Sequence, residues 1–332
     1  MNLRHLRRFV LLGASLVLAT AVPRLALAEP YPSRPITLVV PYGPGGNGDL
    51  SARALADALD HDKLVDQPVV VENRDGAGGI IGTQYVKNAQ KDGYTLLLAR
   101  IGSQVVAPAL DPNTPYQWND LTPIGLLEID PYVCVVKADA PYGTFNDVLA
   151  AVKANPGKMS FATSSNMDAS VVFPVKAFLD VGLSANAAIK VPYKGGGATV
   201  APVLAGTVDF ACNGIAPYFG NIKSGRLRAL IVSTPERLPD LPGVPTAAEL
   251  GLKDLEMVSG WNALYGPPGL PKDVVRHWEA ILARANASPY WLALAKKRGT
   301  VPAVLTAAKT HEFVREQYEA YHSLSKYIGP NK

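Results

Sequence analysis

The chain alternates short β-branched runs with stretches of helical periodicity, and this alternation restricts the fold more than any other feature. Ile36–Val40 is an apolar run of strand length. After it, Ala52, Leu55, Ala56 and Leu59 recur at the spacing of one helix face. The same succession is repeated along most of the chain. It predicts parallel sheets with helices packed on their faces, which is the α/β class.

The predicted elements cover the chain from residue 36 onward. The runs assigned to strands are Ile36–Val40, Val69–Glu72, Thr95–Ala99, Ile124–Glu128, Tyr132–Val136, Met159–Thr163, Ala188–Val191, Val208–Cys212, Ala229–Ser233 and Met257–Tyr265. Helices are predicted over Asp49–Leu59, up to about Ala89, and over Phe145–Ala154, Val171–Leu179 and Thr199–Leu204. Two amphipathic helices follow, one carrying Val274, Val275, Trp278, Ile281 and Leu282 and the other Val314, Tyr318 and Tyr321.

Two domains are predicted from the breaks in this pattern. Pro131 separates two extended runs, which suits a crossing between domains better than a central strand. A Pro-rich stretch after Ser233 is the second break, where the chain leaves the second domain. We therefore expect a first domain over residues 29–128, a second over 129–232, and a segment over 233–332 that returns to the first.

The N-terminal segment has the layout of a secretory signal peptide. Arg4, Arg7 and Arg8 precede the apolar run Phe9–Ala21, and residues 26–28 read Ala-Leu-Ala. A basic head, a short apolar run and small residues before the cleavage point are the parts of such a signal, and the run is short for a membrane span. We expect residues 1–28 to be cleaved and the mature protein to reach the periplasm. A retained anchor helix is the alternative.

The charge balance argues against nucleic acid as a partner. The chain has 32 basic and 28 acidic residues, and the four arginines within residues 1–28 leave 28 of each in the remainder. Nucleic-acid binding needs a surplus of Lys and Arg on one face. The mature protein is neutral and lacks that surplus.

The two cysteines, Cys134 and Cys212, are too few for a disulfide framework. Each lies in an apolar run that reads as a strand, and free Cys is among the most buried residue types. We expect two buried free thiols. A single bridge between them is the alternative.

The sharpest local signal is the segment Tyr42-Gly-Pro-Gly-Gly-Asn-Gly-Asp49, which follows a strand and opens a helix. Glycines there let backbone N–H groups approach a ligand closely, and the helix N-terminus favours an anion. Asp49 can cap the helix. The segment also matches G-x-G-x-x-G, with Glu72 about twenty residues on, so an exported NAD-type oxidoreductase is one alternative. A plain structural turn is another.

A second polar loop follows the strand Met159–Thr163. It runs from Ser164 to Ser170 and is rich in hydroxyl and amide groups just before a helix. Loops at the carboxyl ends of strands line the crevice of an open α/β sheet. Two such loops facing each other form a clamp, although ordinary capping residues would read the same way.

The sequence contains no recognisable catalytic or metal-binding set. The histidines are His5, His61, His277, His311 and His322, and those beyond the signal segment fall on polar, helix-like stretches. No nucleophile elbow, P-loop or metal-spaced Cys/His group occurs. We predict a binding protein without catalytic residues, metal or cofactor.

Several motifs together resemble the substrate-binding proteins of tripartite tricarboxylate transporters, the Bug or TctC-like family. They occur in order along the mature chain: Tyr31-Pro-Ser-Arg-Pro-Ile36, Val39-Val-Pro41, the Gly-rich loop with Asp49, Pro68-Val-Val-Val-Glu-Asn-Arg74, Gly76-Ala-Gly-Gly79, Asp92-Gly-Tyr-Thr-Leu96, Val191-Pro-Tyr-Lys-Gly195, Gly225-Arg-Leu-Arg-Ala-Leu230 and Pro242-Gly-Val-Pro-Thr246. The resemblance implies a periplasmic-binding-protein-like fold of type II, with two doubly wound α/β domains and a ligand cleft between them. It also implies delivery of an organic carboxylate to membrane permease subunits.

The resemblance also implies which residues bind the ligand. One carboxylate would be held at the first loop by Gly45, Gly46, Asn47 and Asp49, largely through backbone amides and water. The opposing loop supplies Ser164, Ser165, Asn166 and Asp168. Tyr42 and Asn213, each at the end of a predicted strand, complete the set.

Two departures from the family pattern bear on the ligand. Arg100 ends the third strand where relatives often have small hydroxyl residues, and it could hold a second carboxylate bidentately or lie in an ion pair. Ser170-Val171 replaces a Gln-His pair. An apolar wall of Tyr42, Met167, Tyr218, Phe219 and Trp261 would favour an aromatic or longer dicarboxylate such as terephthalate. We expect a monomer, and a ligand sensor for a membrane kinase is the alternative role.

Overall fold

The computed structural model describes residues 30–325 of the chain. The signal peptide predicted at residues 1–28 lies outside the described residues. Within residues 30–325, none of the helices combines the length and the apolar character needed to cross a membrane.

The first sheet has six strands in the order β11-β4-β10-β3-β1-β2. Strand β1 lies parallel to β2 and β3, whereas β10 lies antiparallel to both β3 and β4, and β11 antiparallel to β4. The strands are β1 Ile36–Val40, β2 Val69–Asn73, β3 Thr95–Arg100, β4 Thr122–Asp130, β10 Gly260–Gly266 and β11 Val301–Thr306.

The second sheet has five strands in the order β7-β6-β8-β5-β9. Strand β6 lies parallel to β7 and β8, and β5 lies antiparallel to β8 and β9. The strands are β5 Tyr132–Lys137, β6 Ser160–Thr163, β7 Ile189–Pro192, β8 Phe210–Gly214 and β9 Leu227–Val232. Both sheets are thus mixed rather than wholly parallel: β5 and β10, which follow the crossings between the sheets, run opposite to their neighbours β8 and β3, and β11 runs opposite to β4.

Helices cover the faces of both sheets, as the alternating pattern predicts. They are α1 Asn47–His61, α2 Ile80–Lys87, α3 Ala107–Leu110, α4 Phe145–Ala154, α5 Ala169–Asp180, α6 Val200–Ala205, α7 Ala216–Lys223, α8 Lys272–Asn286, α9 Pro289–Arg298 and α10 Ala307–His322. Helix α1 buries Ala52, Leu55 and Leu59, and α8 buries the face that carries Trp278 and Leu282. These residues share one core with β1, which explains the helical spacing seen in the sequence.

The chain passes between the sheets next to Pro131. Strand β4 ends at Asp130 in the first sheet, and β5 begins at Tyr132 in the second. After β9 the chain returns beside this crossing, where the backbone N–H of Tyr132 donates to Oγ of Ser233 at 2.9 Å and the N–H of Ser233 donates to O of Tyr132 at 2.9 Å. The domain boundaries at 128/129 and 232/233 stay predictions.

Two C-terminal elements were not predicted from the sequence. Strand β11 contains Pro302 and is only half-buried, because it lies at an edge of the first sheet. Helix α9 carries three consecutive basic residues in its last turn, which blurs its apolar face. The strand expected from Met257 begins only at Gly260, since Lys253–Met257 forms a short 3₁₀ helix.

The expectation of two free thiols is wrong, because Cys134 and Cys212 form a disulfide. The two residues are direct partners across β5 and β8, and both are fully buried. Their sequence separation is 78 residues, so neither the strand pairing nor the facing of the two side chains could be read from local pattern. The bridge fastens the centre of the second sheet.

Removing the disulfide by the double substitution Cys134→Ala and Cys212→Ala should lower the free energy of unfolding by about 2–4 kcal/mol, because the bridge restricts the unfolded chain. Guanidinium unfolding, followed by fluorescence, measures this difference. Reductant should move the unfolding midpoint of the wild type and leave that of the double variant unchanged. An unchanged wild-type midpoint under reducing denaturant would contradict the bridge.

Candidate functional site

The ends of several strands meet at a small enclosed cavity between the two sheets. Its volume is about 20 Å³, which is room for about one water molecule. The first sheet contributes the loop after β1 and the end of β3, and the second contributes the loop after β6 and the end of β8. The lining residues are Tyr42, Gly46, Asn47, Gly48, Arg100, Ile101, Gly102, Tyr132, Ser164, Asp168, Gly196 and Asn213.

The loop after β1 takes its shape from Asp49. This residue lies in the first turn of α1, and its buried carboxylate accepts the backbone N–H of Gly45 at 2.9 Å and pairs with Arg53 at 2.9 Å. Gly45 has a φ of 73°, in the left-handed region that favours glycine. Asp49 is thus not the predicted helix cap, since the N-cap is Gly46 without a side-chain cap bond; it instead holds the loop that precedes the helix. Gly45 and Asp49 themselves line neither this cavity nor the groove described below.

Asn47 and Asn213 join the two sheets across the cavity. Nδ2 of Asn47, at the start of α1, donates to Oδ1 of Asn213, at the end of β8, over 3.4 Å. Both side chains are buried, and among the described residues Oδ1 of Asn47 and Nδ2 of Asn213 have no hydrogen-bond partner. A buried polar atom without a partner is costly. A ligand with an oxygen acceptor would satisfy the amide of Asn213.

Arg100 reaches the same cavity and is held from behind. One terminal nitrogen donates to Oδ2 of Asp130 at 2.8 Å and the other to Oδ1 of Asn262 at 3.2 Å. A Cβ built at Gly48 would lie 3.0 Å from Cδ of Arg100, which shows how closely the arginine passes the start of α1. The guanidinium and the Gly-rich loop thus lie at one end of the cleft, whereas the sequence analysis assigned them to two different carboxylates.

Asp168 faces Arg100 from the second sheet. It is the N-cap of α5, where its carboxylate accepts the backbone N–H of Ser170 at 3.0 Å and hydroxyl hydrogen bonds from Ser164 and Ser170. Burial raises the pKa of Asp168 above its ordinary value, although these bonds and the nearby Arg100 oppose the change. The cavity therefore contains an acid that resists ionisation.

Tyr42 supplies a hydroxyl at the cavity. Burial raises the pKa of Tyr42 to about 12, so the side chain stays protonated at neutral pH and can donate a hydrogen bond. Tyr42 also lines a larger groove, which makes it the boundary between two compartments.

The larger groove has a volume of about 1080 Å³ and opens beside the enclosed cavity. Three predicted ligand residues of the second loop, Ser164, Ser165 and Asn166, line it together with Met167. The turn after β2, Asp75–Ile80, forms the facing wall. In the second loop, Asp168 therefore lines the cavity, Ser165 and Asn166 line the groove, and Ser164 lines both.

The aromatic wall expected from the sequence is largely absent from both compartments. Trp261, Tyr218 and Phe219 pack in the hydrophobic core and line neither the cavity nor the groove. Trp261 and Tyr218 are completely buried. Only Tyr42 and Met167 of that set reach the groove, because the others lie on faces of elements turned toward the core.

A third glycine-rich loop, missed by the sequence analysis, closes the site. It follows β7 and reads Lys194-Gly-Gly-Gly197. A Cβ built at Gly197 would lie 2.6 Å from O of Gly45 and 3.1 Å from N of Gly46. The backbones of the two sheets touch here. Its sequence carries the same signal as the first loop, glycines soon after a strand, and was sufficient to predict it.

Across residues 30–325, no three or more His, Cys, Asp or Glu side chains come together in a way that could hold a metal ion.

Known proteins resemble this chain in sequence and in fold. The family model described as "Tripartite tricarboxylate transporter family receptor", TctC, matches residues 51–329. This chain belongs to the TctC family. TctC proteins of the Bug type are substrate-binding proteins and not enzymes, which confirms the resemblance and the binding-protein prediction.

Individual relatives support the assignment over nearly the whole chain. Protein BugT of Bordetella pertussis is 34% identical over 309 residues, covering 91% of each chain. The structure of periplasmic binding protein BugD has a TM-score of 0.81 at 32% identity and covers 89% of this chain and 98% of its own. MatC from Rhodopseudomonas palustris with bound malate has a TM-score of 0.81 at 25% identity and covers 89% of this chain and 100% of its own. The predicted periplasmic-binding-protein fold is thereby confirmed.

In this TctC protein, Gly197→Ala should weaken ligand binding by about tenfold or more. The added methyl group would overlap the backbone of Gly45, and relief of such overlap costs about 1–3 kcal/mol in the closed arrangement. Isothermal titration calorimetry measures the affinity, and thermal unfolding checks the fold. Gly220→Ala is the matched control, because nothing lies within 4 Å of a Cβ built there. Unchanged affinity in Gly197→Ala would show that the ligand-bound state keeps these loops apart.

The affinity of the TctC protein for a carboxylate should fall as pH rises through the pKa of Asp168. That pKa is raised, so the side chain is neutral above the ordinary aspartate pKa of about 4 and becomes a repelling anion only at higher pH. Asp168→Asn keeps the cap acceptor and should remove this dependence. Titrations over a pH series compare the two proteins with the same ligand, so that ionisation of the ligand cancels. Identical pH profiles would contradict the role of Asp168.

Proposed function

We propose that this receptor captures an organic dicarboxylate in the periplasm, after removal of residues 1–28, and delivers it to the permease of a tripartite transporter. The observation that carries the proposal is the convergence of the α1 N-terminus, Arg100 and two buried asparagines on one cavity between the sheets. The family assignment supports the transporter, and the malate bound by MatC supports a dicarboxylate.

One carboxylate of the ligand binds at this cavity. The N-terminal backbone amides of α1 and the amide of Asn213 donate to its oxygens, and the hydroxyl of Tyr42 adds a further donor. Arg100 contributes positive charge, but its pairing with Asp130 limits that contribution. Selection of the anion therefore depends mainly on oriented amides, as in other helix N-terminal sites.

Capture proceeds by closure of the two sheets around the ligand. Asn47 belongs to the first sheet's side of the cavity and Asn213 and Ser164 belong to the second, so a ligand between them bonds both sides only when they are close. A ligand shifts an equilibrium by its differential affinity for the two states. The closed form is then the one presented to the permease.

Terephthalate remains one candidate among the dicarboxylates. The enclosed cavity is too small for a whole diacid, so the body of the ligand extends into the groove past Tyr42. Tyr42 offers an aromatic face there, whereas the other aromatic residues that favoured this ligand lie in the core.

Calorimetric titration with mono-, di- and tricarboxylates tests the proposal, using the double variant Arg100→Gln with Asp130→Asn. Replacing both partners avoids an unpaired buried charge, which would cost about 3–5 kcal/mol. We expect binding of a dicarboxylate to wild type and a loss of about tenfold in the variant, equal for a diacid and its matching monoacid. Ligand recovered chemically changed, or no carboxylate bound, would overturn the proposal. A loss confined to diacids would move Arg100 to the second carboxylate.

A further inference from the structure

The enclosed cavity and the groove together restrict where a second carboxylate can bind. The cavity has a volume of about 20 Å³, and in the proposed mode it takes the first carboxylate beside Arg100 and Gly46. The groove, at about 1080 Å³, is large enough for the rest of a small organic molecule. A distal carboxylate therefore needs a partner in the groove.

Tyr42 and Ser164 line both compartments, so a ligand can pass from one to the other between these side chains. Tyr42 comes from the first sheet and Ser164 from the second. The part of a ligand that leaves the cavity between these two side chains enters the groove directly.

Part of the inner surface of the groove is apolar. Its lining includes Phe161 from β6, Val171 and Val175 from α5, and Ala188 just before β7. These side chains are almost fully buried in the core of the second sheet, so they present a fixed surface. A methylene chain or a ring can pack against this surface, but these side chains leave little apolar area to cover.

The charged residues of the groove are divided between its walls. Lys190 and Lys194 line the second-sheet wall, and Asp75 and Asp111 line the first-sheet wall. Nζ of Lys190 donates to O of Asn166 at 2.9 Å and retains further protons to donate. Oδ1 of Asp111 already accepts two bonds from Asn113, at 2.9 and 3.1 Å. An anion in the groove is attracted to the lysine wall.

We propose that Lys190 and Lys194 form the subsite for the distal carboxylate of a long-chain dicarboxylate whose other end occupies the enclosed cavity. This inference rests on the proposed function and specifies its substrate class: diacids long enough to reach from the cavity to the lysines, rather than short hydroxy acids. The lysines are exposed, so their attraction is partly screened and weakens as salt increases.

The test compares diacids with monoacids of the same chain length. Adipate with hexanoate, and suberate with octanoate, are titrated calorimetrically into wild type, into Lys190→Gln/Lys194→Gln, and into a control, Lys153→Gln/Lys158→Gln. The control removes two exposed lysines of the second sheet's side that do not line the groove. We expect the groove variant to weaken the diacids by about tenfold and to leave the monoacids unchanged.

The outcomes separate the subsite from the binding function itself. Equal losses for diacid and monoacid, or no loss for the diacids, would overturn the lysine subsite while leaving the receptor function intact. An equal effect in the control variant would show a general charge effect and would also overturn it. Absence of binding of every acid to wild type would instead overturn the proposed function. Disappearance of the diacid preference at high salt would support the subsite.

Discussion

Two buried carboxylates on one strand, Glu128 and Asp130, hold together the parts of the protein that form the cleft. Glu128 accepts from Arg298 at 2.7 Å and from Asn262 at 2.9 Å, and Asn262 in turn accepts from Arg100. Asp130 completes the series by pairing with Arg100. The network ties the end of α9, the middle of the first sheet and the cavity into one unit. Its charged members are costly to remove singly, since removing one partner of a buried ion pair leaves the other charge unpaired.

This network determines the electrostatics of the site. Because Arg100 has its own counter-charge, the cavity is not a strongly cationic pocket. In the proposed binding mode, attraction for an anion comes from the α1 N-terminus and from amides such as that of Asn213, and Asp168 on the opposite side opposes a second negative charge unless it is protonated. Residues 29–332 have equal numbers of basic and acidic residues, which agrees with a site that does not depend on a basic pocket.

The backbone contact between the first and third glycine-rich loops explains why the compartments differ so much in size. Gly197 lies close to Gly45 beside the cavity, whose lining includes their neighbours Gly196 and Gly46, and Tyr42 and Ser164 line both the cavity and the groove. Side chains at this glycine contact would keep the sheets apart. In the proposed binding mode, chemical discrimination between ligands is left to the groove, where side chains of different charge line the two walls.

The sequence by itself determined the α/β class, most strand positions and the first two loops, because these depend on local periodicity and on glycines that follow strands. Ile36–Val40 and Phe145–Ala154 were placed without error. Only the tertiary structure decided the Cys134–Cys212 bridge and the partner of Arg100, because both depend on which distant strands become neighbours. The pairing of distant strands also placed Trp261 in the core, and it brought together loops that are far apart in the chain to form the groove.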